Sequence, residues 1–146
     1  MTVTIDDFET ELRSYIGTPF HHGGRVPGLN GGLDCGGMVI VAMTRTGMTV
    51  EDVSNYPEGD GIDMLTRVLS IHCERKDAAS IEPGDLIVLR DRTMYHHILY
   101  WTQAGTVIHA WQTPSVNKVV ETEMIQAWWA MVDSVWHIRE LENWQQ

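Results

Sequence analysis

The stretch Gly31-Gly32-Leu33-Asp34-Cys35-Gly36-Gly37 decides how this chain is read. Two glycines lead into the cysteine, and a helical pattern of Met38, Val39, Ala42 and Met43 leaves it. A cysteine at a loop-to-helix junction sits where free backbone N–H groups and the helix dipole favour a thiolate. Downstream lie His97 and His109, twelve positions apart. A histidine carried to the cysteine by the fold acts as its base. Cysteine plus distant histidine is the outline of a cysteine hydrolase.

Length and composition frame that reading. A chain of 146 residues is expected to form one domain, 1–146. Hydrophobic residues make up 43% and charged residues 21%, a globular balance. No apolar run approaches the roughly 20 residues that span a bilayer, so no membrane partner is expected. Met1 to Thr10 carries neither a basic n-region nor an apolar h-region. The expectation is synthesis in the cytoplasm without a signal peptide. The formal net charge of −10 argues against nucleic acid as a main partner. It also argues against long-range attraction to an anionic envelope, so recognition must be local.

The layout predicts helices first and a strand meander second, an α+β pattern. Ile5, Phe8, Leu12 and Tyr15 recur at helical spacing, with Thr4 as N-cap and Gly17-Thr18-Pro19 as the stop. Residues 20 to 34 read as a glycine-rich loop, which lets backbone approach a ligand or thiol closely. A second helix is expected from Cys35 to Arg45, with Gly47 in its C-cap region. A third apolar stripe, Met64, Leu65, Val68 and Leu69, suggests a helix before Cys73, itself read as a core residue rather than a resolving thiol or metal ligand. Strands are expected at Asp85 to Arg90, His97 to Trp101, Thr106 to Trp111, Val116 to Glu121 and Ser134 to Arg139. Met124 to Met131 reads as a short helix, and Glu140 to Gln146 as a fraying tail.

Hairpin register decides whether the two histidines meet. Gln103-Ala104-Gly105 suits a three-residue loop with Gly105 in the left-handed position. That register sets Thr102 opposite Thr106 and makes His97 and His109 diagonal neighbours on one face. A five-residue loop would set them directly opposite; an even-length loop would separate them. Alternation also separates His96 from His97, and spacing from His109 selects His97. Trp101 and Trp111 fall on the histidine face in either odd register, where they line a groove or pack as core.

The chemistry implied is nucleophilic. Cys35 supplies a thiolate, and His97 takes its proton and returns it to the leaving amine. His109 fixes the tautomer of His97, as the third member of a triad does. The Cys35 backbone N–H is a candidate oxyanion donor. Asp34, too close in sequence to be the base, is a candidate for binding a substrate ammonium. A zinc site is disfavoured: there is no C-x-x-C, no H-x-x-x-H and no cysteine pair at finger spacing. Neither metal nor other cofactor is expected.

Taken in order, Gly17-Thr18-Pro19-Phe20, the glycine-rich approach, Asp34-Cys35-Gly36-Gly37, Pro83-Gly84-Asp85, His97 and Ile108-His109-Ala110 resemble the NlpC/P60 family. The resemblance runs from about residue 8 to 139. Its finer grain is similar to compact members encoded with phage-tail and gene-transfer-agent genes, through Gly17 to Arg25, Asn55-Tyr56-Pro57 and Ala127-Trp128-Trp129. It implies a papain-like α+β fold, with the cysteine heading a helix packed on an antiparallel sheet. It implies hydrolysis of peptidoglycan stem peptides, often between γ-D-glutamate and a diamino acid. By position it makes Cys35 the nucleophile, His97 the base and His109 the orienting residue. His96 stays a rival, because relatives often have a tyrosine four residues on, where Tyr100 stands. Asp34 corresponds to a residue recognising a free stem-peptide amine.

Two departures matter. Gly36 stands where a serine that helps hold the amine is common, and Phe20 where a tyrosine hydroxyl is common; His22 is a candidate to compensate for the latter. The resemblance further implies a virion tail component that acts in the cell envelope, with other tail proteins as partners. A mainly structural tail-tip role and a cellular papain-like amidase or acyltransferase are the alternatives.

Overall fold

The computed structural model describes residues 2–52, 68–90 and 96–142. Helix α1, Ile5–Arg13, starts at Thr4, whose hydroxyl accepts from the Asp7 N–H at 3.1 Å. Asp6 and Asp7 in its first turn and Arg13 in its last complement the helix dipole. Its apolar stripe buries Ile5, Phe8 and Leu12, and Tyr15 follows in the turn beyond. Each such side chain contributes roughly 1.5–3 kcal/mol. Helix α2, Cys35–Arg45, runs as expected and is apolar nearly all round, so it lies in the middle of the molecule. Gly47 adopts φ +106° just past its end, which only glycine does without strain.

The main sheet is antiparallel and six-stranded. After two short early pieces, β1 (Val3–Thr4) and the hairpin β2 (Arg25–Val26) with β3 (Gly32–Leu33), its strands follow in chain order. They are β4 (Cys73–Lys76), β5 (Asp85–Arg90), β6 (His96–Trp101), β7 (Thr106–Gln112), β8 (Asn117–Glu123) and β9 (Val132–Ile138). Spatial order is β4-β9-β5-β6-β7-β8, a four-strand meander whose first strand is flanked by the returning β9. One face carries Leu86, Val88, Ile98, Tyr100, Ile108 and Trp136 against α1 and α2. The opposite face carries Ile87, Leu89, Leu99 and Val107 under Trp101, Trp128 and Val132. Coverage on both faces explains why β5 reads Leu86-Ile87-Val88-Leu89 without alternation.

The β6–β7 turn is the three-residue loop. Tyr100 pairs with Ile108 and Trp101 with Val107, and the Thr102 N–H donates to the Thr106 carbonyl at 2.9 Å. Gly105 takes φ +77°. His97 and His109 therefore sit diagonally on one face.

Several expectations are corrected. The region read as loop from 20 to 34 contains the β2–β3 hairpin, and α1 ends at Arg13 rather than at Gly17. The third helix, α3, is described over 68–72 and ends before Cys73 as expected, while the strand β4 that Cys73 begins was not foreseen; Cys73 is buried and free of disulfide. Met64 and Leu65, like Asn55-Tyr56-Pro57, lie outside the described residues. The expected helix from Met124 to Met131 shortens to α4, Gln126–Trp129. The tail does not simply fray: β10, Leu141–Glu142, pairs in parallel with β1 and buries Leu141. Strand β4 escaped notice because Glu74-Arg75-Lys76 is the charged composition of an edge strand.

One buried charge ties α1 to the turn of the histidine hairpin. Glu9 is 1% exposed. It accepts from the Tyr100 hydroxyl and the Gln103 N–H, both at 3.0 Å, and pairs with Arg13 at 3.3 Å. Replacing it by alanine strands the Tyr100 hydroxyl and the Gln103 N–H, while Arg13 keeps Glu121. Glu9→Ala is expected to lose about 2–4 kcal/mol in urea unfolding; a loss under about 0.5 kcal/mol would show that water replaces these bonds freely.

Candidate active site

Asp34 builds the front of the site. Its extended backbone ends β3, and its side chain caps α2 by accepting from the Gly37 N–H at 2.7 Å. The second oxygen accepts from the Gly23 N–H at 2.8 Å, and Arg25 lies 3.3 Å from the first. Arg25 continues to Asp52 at 3.0 Å. The glycine-rich approach is thus folded back onto the helix start around one buried carboxylate. Gly37 must be glycine: a Cβ there would run into the Gly24 carbonyl and lie 2.6 Å from the Arg25 guanidinium. The segment before it is held too. Gly17 and Phe20 N–H groups donate to β8 carbonyls at Val119 and Asn117, and Phe20 packs on the core beside Cys35. His22 is half-buried in the turn between them.

Cys35 is the first residue of α2 and partly exposed. The backbone N–H groups of Ile98, Gly36 and Cys35 favour its charged form. Ile98 directly follows His97, so the thiol sits at the start of β6. Burial, then the Asp34 charge, outweighs those groups and pushes the thiol up to about 12. The helix start and the burial thus act on Cys35 in opposite directions.

His97 Nε2 lies 2.8 Å from His109 Nδ1. His109 is fully buried, and its Nε2 lies 3.0 Å from the Thr122 hydroxyl on β8. Trp111 and Trp128 flank the His109 ring, with centroids at 5.3 and 5.5 Å. Trp101 is further out, edge-to-face with Trp129. Burial pulls His97 down to about 4; burial and then the His97 charge pull His109 down to about 3. The side chain of His96 lies outside the described residues. With Nε2 of His97 committed to His109, Nδ1 is the nitrogen left for a further partner. A thiol, a neutral base, an ordered second imidazole and backbone donors form an atom set suited to acyl transfer.

The NlpC/P60 family matches residues 17–134 of this sequence. The chain belongs to that family. Solved structures agree in fold. An NLP/P60-family lipoprotein-like protein of Staphylococcus aureus gives a TM-score of 0.66 at 15% identity over 95% of this chain. The peptidoglycan hydrolase RipB of Mycobacterium tuberculosis gives 0.63 at 21% over 95%. The P60 domain of an antigen of Mycobacterium avium subspecies paratuberculosis gives 0.64 at 18% over 95%, with 96% of that domain covered. This chain spans only 42% of the first and 65% of the second. Among curated proteins none matches. The architecture is thus the papain-like α+β fold of NlpC/P60 domains, its cysteine at a helix N-terminus on an antiparallel sheet.

Against the family pattern, the structure pairs His97 with His109, sets Trp111 at the second histidine, and places Cys35 and Gly36 at the helix start beside Ile98, the residue after His97. It does not present Asp34 to a ligand. That carboxylate is 4% exposed and engaged by two N–H groups and a guanidinium. Arg25 and Thr122 are the residues that sequence reasoning missed. Arg25 had a signal, a lone cation in the glycine-rich approach to a buried acid. Thr122 had none, because its place depends on the β7–β8 register.

Two outcomes follow. Asp34→Ala removes a helix cap and leaves Arg25 without its buried partner; a loss of about 2–4 kcal/mol is expected in thermal or urea unfolding, with Cys35 alkylated unselectively as the helix start loosens. The histidines set an acid response. Below pH 6.5 the unfolded chain takes up protons that the folded imidazoles refuse, so stability falls as pH falls. The slope is about 1.4 kcal/mol per pH unit for His109, less for the partly exposed His97, until they protonate near pH 3–4. His109→Gln should flatten that slope between pH 6.5 and 4.5; an unchanged slope would place the burden on other groups.

Proposed function

We propose that this protein is a cysteine peptidase of peptidoglycan stem peptides, cutting between γ-D-glutamate and a diamino acid. The observation that carries the reading is the His97–His109 pair, whose first member is followed in the chain by Ile98, next to Cys35 at the start of α2. Family membership supports a hydrolase of this kind, and RipB, which shares the fold, is described as a peptidoglycan hydrolase.

Attack begins from a neutral pair. As the sulfur bonds to the scissile carbonyl carbon, its proton passes to His97 Nδ1. The carbonyl oxygen becomes an oxyanion, for which the Cys35 and Gly36 N–H groups at the α2 terminus are the nearest donors. Collapse of the tetrahedral adduct breaks the C–N bond, and His97 gives its proton to the departing amine. Water, deprotonated by His97, then releases the acyl group and restores the thiol. His109 keeps the His97 ring in place throughout.

Recognition of the free stem amine by Asp34 is not part of this proposal. The Arg25 pair and two N–H bonds already use that carboxylate, and Gly36 offers no hydroxyl. Phe20 likewise offers no hydroxyl, and its place on the core makes it a wall. His22, Trp101 and Trp111 complete the proposed lining. The domain is further proposed to act as a tail-borne wall hydrolase, supported by its resemblance to compact phage-tail relatives. A mainly structural tail-tip role is favoured to the extent that the Asp34 and Phe20 polar functions are absent.

Mass spectrometry of defined muropeptides separates these readings. Wild-type protein should release the diamino-acid fragment, and Cys35→Ala should lower the rate by at least about 10³-fold. Acetylating the stem N-terminus should change the rate less than about threefold, since one lost charge-assisted hydrogen bond would cost tenfold or more. Cleavage unaffected by Cys35→Ala would overturn the peptidase proposal. A strong requirement for the free amine would return Asp34 to substrate binding.

A further inference from the structure

We infer that Thr122 is a positioning residue, the terminal hydrogen-bond acceptor that lets His97 hold the Cys35 proton. The inference rests on the peptidase reading above and extends its site by one residue on β8. The chain of atoms is continuous: His97 Nε2 to His109 Nδ1 at 2.8 Å, then His109 Nε2 to Thr122 Oγ1 at 3.0 Å.

The argument is one of donors and acceptors. A neutral imidazole has one N–H and one bare nitrogen. In the resting enzyme the row can run either way, because a hydroxyl both donates and accepts. Proton transfer removes that freedom. Once the thiol proton sits on His97 Nδ1, both His97 nitrogens carry hydrogen. Nε2–H must then donate, so His109 Nδ1 must accept. His109 therefore carries its proton on Nε2, and that N–H must find an acceptor. Thr122 Oγ1 is the acceptor present. No proton leaves His109; only its tautomer is set.

The surroundings make this acceptor matter. His109 is fully buried, with Trp111 of β7 and Trp128 of α4 against its ring. Neither indole accepts a conventional hydrogen bond. Among the described residues neither imidazole forms an ion pair, and the titratable group that α2 places beside Ile98, the residue after His97, is the Cys35 thiol. Register provides the position. His109 pairs with Val120 and Val107 with Thr122, so Thr122 is the diagonal neighbour on the histidine face. A valine there keeps shape and β-propensity but leaves the His109 N–H unsatisfied whenever His97 is charged.

The test is the pH profile of Cys35 carboxymethylation by iodoacetamide, read on the Cys35 peptide by mass spectrometry, beside kcat and KM on a muropeptide. At neutral pH the thiolate forms by transfer to His97. At high pH hydroxide removes the proton and His97 is not needed. Thr122→Val should therefore alkylate about tenfold more slowly than wild type at pH 7 and converge with it towards pH 10. kcat should fall about 10–100-fold with KM within twofold. Thr122→Ser, which keeps the acceptor, should restore both. A loss equal at all pH values, or shared by Thr122→Ser, would make Thr122 structural and overturn the inference, as would an unchanged profile. If Thr122→Val does not fold, Thr122→Ala is read by the same criteria. The alkylation needs no peptide, so a protein inactive on muropeptides but showing the pH-confined loss would sink the peptidase reading while keeping the positioning role.

Discussion

Everything at the front of this molecule hangs on the Asp34 carboxylate. It is buried, so it must be compensated, and the compensation comes from three directions: the Gly37 N–H on α2, the Gly23 N–H in the approach loop, and Arg25 on β2. Those bonds determine where the glycine-rich segment lies, and hence where α2 begins. Glycine at 24 and 37 is a consequence, since backbone and guanidinium crowd the cap. The residue after Asp34 is then the first of a helix buried against the sheet, and its side chain faces the start of β6. Cys35 is delivered by a charge-burial problem solved next door.

The histidines are delivered by a different constraint, strand parity. A three-residue turn closed by Gly105 puts His97 and His109 on one face, and the β7–β8 register puts Thr122 on it as well. Tryptophans then dry that face. Dryness has a direction: it raises the thiol and lowers both imidazoles. The neutral thiol and the neutral imidazoles are therefore the forms that this dryness favours, and any charge that develops on His97 has to be met by donors and acceptors already in place.

Much of this was legible in the sequence where one local signal sufficed. Thr4, the stripe from Ile5 to Tyr15, the Cys35–Arg45 helix and the Gly105 turn each follow from periodicity or from one residue with special backbone freedom. The two-residue strands were not legible, because β1, β2, β3 and β10 exist through partners remote in sequence. Cys73 was placed in the core, but the strand it begins was hidden, since an apolar helical stripe ran directly into a charged edge strand. The surroundings of Cys35 were only half legible. A helix N-terminus is visible in sequence, while the burial that opposes it is a property of the packed whole.

Asp34 shows how a motif can keep its letters and change its use. An acid beside a nucleophile suggests an anchor for a substrate cation. Here the cation is internal: Arg25 pairs with Asp34, and Asp52 binds Arg25 from the other side. A substrate amine could take the Asp34 carboxylate only by breaking its pair with Arg25, a guanidinium only 16% exposed. An intramolecular ion pair of this kind is present before any ligand arrives and loses no translational freedom in forming. A free amine, arriving from water with its hydration shell, does both. On the proposed reading, discrimination among substrates falls to the side where Trp111 and Trp128 border His109 and where Trp101 meets Trp129, and there shape and aromatic surface select rather than charge. In a chain of net charge −10 that shift is consistent: the buried acid of the motif holds the scaffold, and the uncharged face meets the ligand.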